Sequence, residues 1–167
     1  MKFLAIAAML LAGPALADDL PDAVVGDPKA EFAMMIYCTA SEATIAHLHL
    51  QTAATLSALS SEQVVPQING MMDGYKALSE ASKERAMNYI GLVRDVLVPA
   101  LAQQGVDESM IREKTVELLT HSMSRLATVL SNPDNVLDEQ TAMERKLMDQ
   151  AKNCESLAAQ ITTHHAL

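Results

Sequence analysis

From Pro28 to Leu59, apolar and small side chains return at steps of four and three: Met34, Cys38, Ser41, Ile45, Leu48, Thr52, Thr55 and Leu59. That spacing marks one face of an α-helix, whereas a strand would alternate. Asp27 stands in the capping position, and Pro28 suits the first helical turn, where its missing N–H costs nothing. The first helix is therefore expected over 28–59. Ser60 and Gln63 then form a capping box, but Pro66, Asn69-Gly70 and Gly74 interrupt. A short helix or turn is expected over 60–74.

The second helix is expected over 72–104, with Tyr75, Leu78, Ile90, Val93, Leu97 and Leu101 inward. Pro99 should kink it or end it early. Gly105 is a helix stop followed by the apolar Val106, and Asp107 caps a third helix at 108–131. Ile111, Thr115, Leu118, Leu119, Ser122, Leu126 and Val129 lie on its inner side. Asn132-Pro133-Asp134-Asn135 reads as a turn. The fourth helix, over 135–163, turns Leu147, Ala151, Cys154, Leu157, Ala158 and Ile161 inward. Strand signal is almost absent, and strong helix formers dominate. The expected fold is all-α: an up-down-up-down four-helix bundle with an irregular connection between its first two helices. It forms a single helical domain over 28–167, preceded by a flexible arm at 18–27.

The first residues form a secretory leader. Lys2 gives a positive start, and Phe3 to Leu11 is an apolar run far shorter than the ~20 residues of a membrane span. Gly13 and Pro14 break it, and Ala15-Leu16-Ala17 presents small residues at the two positions a signal peptidase reads. Cleavage is expected between Ala17 and Asp18, leaving no membrane anchor. Pro14 follows Gly13 where a lipoprotein would need cysteine. The expected location is the periplasm or the exterior.

An exported chain with two cysteines meets an oxidising compartment. Cys38 sits about ten residues into the first helix and Cys154 about ten before the end of the fourth. Antiparallel neighbours would bring them to one height, so a Cys38–Cys154 disulfide is expected. A redox-active pair would call for a CxxC arrangement or a nearby histidine to lower a thiol pKa. Neither is present.

Charge narrows the partners. The chain carries 21 acidic against 12 basic residues, a formal net charge of −9, and loses Lys2 with the leader. Such a surface repels phosphate backbones and anionic headgroups, so nucleic acid is not an expected partner. It suits a protein with a basic surface. The arm adds Asp18, Asp19, Asp22 and Asp27 without a basic residue.

Metal and catalytic chemistry find little support in these residues. Glu113, Glu117 and His121 step by four along one helix face and form the weak candidate set for a metal, although a solvated charged face has the same spacing. His47 and His49 point to opposite sides of a helix. The chain's 11 methionines offer thioethers that suit copper(I) together with histidine, but the expectation is that they fill a core poor in aromatics. Met34 or Met35 with His164 or His165 would mimic the axial ligands of a helical haem carrier, although the two histidines sit in a tail expected to fray. No HExxH, GxSxG, SxxK, Walker loop, GxGxxG, CxxCH or paired ExxH motif occurs, so no catalytic residue is assigned. The reading is an exported helical protein that acts by protein–protein binding without a cofactor: an envelope-stress factor, an adaptor or an immunity-type protein. The alternative is a metal or haem carrier using Met and His ligands.

Overall fold

A computed structural model of the chain describes residues 25–60, 66–130 and 152–166. The expected leader with its Ala17–Asp18 junction, the expected arm before Val25, Gln63 of the expected capping box, the expected turn at 132–135 and the expected fourth helix before Lys152 lie outside the described residues. The fold is an all-α four-helix bundle, with no strand among the described residues.

Helix α1 spans Pro28–Ser60. Asp27 caps it as expected: its Oδ1 accepts the Lys29 N–H at 3.0 Å and its carbonyl accepts the Glu31 N–H at 2.9 Å. The single inward stripe expected for α1 does not hold. Met34, Leu48 and Thr52 are only partly buried, and Thr55 is exposed. Over 31–46 the helix is covered on nearly every side instead, with Glu31, Phe32, Met35, Ile36, Thr39, Ala40 and Glu42 all buried. The reason is position. α1 is the hub, contacting two other helices along its length and joined to a third through Cys38. A helix buried all round has no polar face to mark its period.

Helix α2 begins at Pro66, runs as α-helix over Pro66–Leu92, widens into a π-turn over Val93–Leu97, and resumes over Val98–Gln103. Pro66 takes the first-turn position that proline favours, and the helix passes straight through Gly70 and Gly74. The expected break over 60–74 is thus corrected for residues 66–74. Pro99 does not end the helix, which runs on to Gln103. It has no N–H for the carbonyl four residues back, and its ring would crowd that carbonyl. Just before it the ladder shifts, and the Val98 N–H donates to the Val93 carbonyl five residues away. Such π-turns absorb a local misfit within a helix.

α2 packs antiparallel on α1, the contacts stepping from Glu42–Arg85 through Ala46–Ser79 to His49–Tyr75. Its inner line is Ser79, Ser82, Ala86, Tyr89, Val93, Leu97 and Leu101. The expected inward positions of Leu78 and Ile90 are corrected, since both are exposed. Small residues let the two backbones approach, and the Ser79 hydroxyl donates to the Ala46 carbonyl at 2.8 Å.

Gly105, at φ +77°, closes α2. The Gly105 N–H donates to the Ala102 carbonyl and the Val106 N–H to the Leu101 carbonyl. These are the two bonds of a Schellman ending. Asp107 then caps α3, Glu108–Leu130, accepting the Ser109 N–H at 2.8 Å. That hydrogen bonding with Ser109 holds the Asp107 carboxyl below its ordinary range. α3 packs on α1 and, near its start, on Val98–Gln103.

Helix α4 is described over 152–165, with Cys154, Leu157 and Ile161 buried as expected. The helix continues through His165, whose Nε2 lies 2.8 Å from Glu31 Oε2. The core joins Phe32, Met35 and Ile36 of α1 to Val93, Leu97 and Leu101 of α2, Ile111 of α3, and Leu157 and Ile161 of α4. Methionine fills it less than expected. Met35 is fully buried and Met34 partly, while Met71, Met87, Met110 and Met123 stand in solvent.

Candidate binding surface and buried ion pairs

Cys38 and Cys154 come together as expected, their sulfurs bonded and their Cα atoms 5.7 Å apart. Both are buried. The weak metal set does not converge. Glu113, Glu117 and His121 are strung along exposed positions of α3, and Glu117 is paired with Lys114. Among the described residues no three His, Cys, Asp or Glu side chains are grouped to hold a metal ion. Glu113 instead borders a shallow depression with Glu108, Ser109, Arg112 and Val116.

Of the residues offered for haem, Met34 is partly buried and His164 exposed, while His165 and Met35 are otherwise engaged. α1 and α4 do bring their ends together, but His165 Nε2, the atom that would take iron, is 2.8 Å from Glu31 Oε2. Met35 is sealed in the core at 0% exposure.

Two carboxylates stand out that pattern reading missed. Glu31 and Glu42 are the sole charged residues between Ala30 and Ala46, and both are 0% exposed. Glu31 Oε1 accepts the Gly26 N–H at 2.8 Å, and Oε2 meets His165. Glu42 is gripped from α2 by Arg85, Nε to Oε1 at 2.7 Å and Nη2 to Oε2 at 3.1 Å. Arg85 Nη2 also donates to the Ser82 hydroxyl. The hydrogen bonds it donates to Glu42 raise the guanidinium pKa further above its already high value. Tyr89 lies within the field of the same cluster. Its hydroxyl is buried without a hydrogen-bond partner among the described residues. Burial first, then Glu42 and Glu155, push its pKa up to about 12. The available signal was an isolated carboxylate inside an apolar helix, which needs a partner when buried.

The surface carries a second signal. Met71 and Leu78, seven residues apart, share one side of α2. Met87 and Ile90, three apart, share another. Their exposures run from 41% to 64%. On α3, Val116 and Met123 are again seven apart and exposed. Exposed charges lie among them on α2: Glu80, Lys83, Arg94 and Asp95. No family model, curated protein or solved structure matches the chain.

Proposed function

We propose that this is an exported helical protein that works by binding another protein through the outward sides of α2. The observation that carries the reading is the paired exposure of Met71 with Leu78 and of Met87 with Ile90. Exposed apolar side chains set among charges suit a contact surface, and methionine adapts its shape to a partner. The acidic balance of the whole chain favours encounter with a basic protein. The expected leader, the disulfide and the lack of any described helix apolar enough to cross a membrane support a periplasmic or secreted location. Envelope-stress factor, adaptor and immunity-type protein all fall within this reading.

The experiment is site-specific photocrosslinking in the native compartment, with the probe placed at Met87, at Ile90 or, as a control, at the exposed Lys152. A discrete protein adduct from 87 and 90, absent at 152, is the expected result. It should be lost in the other-site double variant Met71→Ser with Leu78→Ser if both sides of α2 contribute. Equal adducts from all three positions, or none from α2, would sink the reading.

A further inference from the structure

α4 is held to α1 at two points. Glu31 and Cys38 lie about two turns apart on α1, and Cys154 and His165 about three turns apart on α4, so each pair returns to one face of its helix. One contact is covalent. The other joins the two helix ends: Glu31 in the first turn of α1 and His165 in the last described turn of α4. A carboxylate suits the positive end of a helix and a cation the negative end.

We propose that the Glu31–His165 contact is a proton-operated latch that fastens the end of α4 and the Gly26 turn to the start of α1. The carboxylate is fully buried, while the His165 side chain is 19% exposed, so the ring can exchange protons with solvent. Protonated, the imidazolium neutralises Glu31 across a charge-assisted bond. Neutral, it leaves the buried carboxylate, among the described residues, with only neutral donors, an unfavourable state for a buried charge. Histidine is the side chain that makes this change in the physiological range.

Among the described residues the charged neighbours are few. From α1 the group facing His165 is Glu31. From α4 it is His164, whose ring stands edge-on with centroids 5.3 Å apart. In the preceding turn Asp27 is engaged by the Lys29 N–H. Gly26 belongs to the latch, since its N–H ends on Glu31 Oε1. Its φ of +97° brings it close to His164, where an added Cβ would lie 3.7 Å from Nε2.

That bond supplies a readout independent of global stability. In the intact, disulfide-bonded protein, the Gly26 amide resonance is followed from pH 5 to 8 beside the His165 ring resonances. The expected result is that both move with one midpoint. His164→Gln removes the other ring beside Gly26 and should leave the movement intact, and adding His165→Lys, a permanent cation, to that protein should hold the Gly26 resonance still across this range. Glu31→Gln should uncouple Gly26 from the His165 titration. A Gly26 resonance that ignores the His165 titration, or that still moves in the protein carrying both His164→Gln and His165→Lys, would overturn the latch.

Discussion

Arg85 reaches from α2 to take both carboxylate oxygens of Glu42 on α1, a two-pronged contact in which the acid is wholly buried and the guanidinium side chain 31% exposed. Arginine's planar fork matches a carboxylate in a way a lysine ammonium does not. The contact lies one helical turn from Cys38 and ties α2 to the hub helix.

Removing one partner should cost more than removing both. Arg85→Met strands a buried negative charge, and a loss of about 3–5 kcal/mol is expected. Combining it with Glu42→Leu should recover most of that loss. Urea unfolding of the two single variants and the double variant measures the coupling. Additive losses would mean that the pair is not coupled.

Tyr89 gives the alkaline leg of stability. Its pKa is raised from 10.0 to about 12 in the folded protein. The folded state therefore keeps the phenol proton more tightly than the unfolded chain does. The contribution is fully present below pH 10 and is lost as pH rises through about 12. Absorbance titration of tyrosinate should show a late component near pH 12 that disappears in Tyr89→Phe. That variant should also unfold less steeply with rising pH over this interval.

The Cys38–Cys154 bond closes a loop with a sequence separation of 116. Chain-entropy arithmetic for a loop of that size gives about 5 kcal/mol. The double variant Cys38→Ala, Cys154→Ala should lose up to that amount in denaturant unfolding while keeping most of its helical circular dichroism. A loss under about 1 kcal/mol would show that the unfolded chain gains little freedom when the clamp is absent.

Local signals in the sequence were legible where local chemistry decides the structure. Asp27, Asp107 and Gly105 do at their helix ends what their residue types predict, and the two cysteines meet because antiparallel helices set their height. Positions decided by tertiary packing were not legible. Over 31–46 α1 is enclosed by other helices, so the stepping of large apolar residues carries no information about a single inward face. On α2 the inward line is built from Ser79, Ser82 and Ala86, because close backbone approach rewards small side chains, while Leu78 and Ile90 stay outside. Pro99 read as a break because the sequence does not display the π-turn that accommodates it. Of the candidate site, the exposure of Met87 and Met71 depends on which side of α2 meets α1, and that register is set by Arg85 and Ser79.

The distance in sequence between Cys38 and Cys154 also orders events in time. On any route that delivers the chain N-terminus first, Cys38 arrives well before its partner. At roughly 5–20 residues per second, the pace of synthesis, that wait is on the order of 10 s. Throughout it Cys38 is an unpaired thiol on an uncovered helix, able to attack the disulfides of other molecules and release one of their sulfurs as a thiolate. A chain cut short before Cys154 can never close the bond and keeps an odd cysteine. The covalent seal thus forms only on chains that have reached Cys154, and a Cys38 bonded within its own chain distinguishes such a molecule from one cut short before that residue.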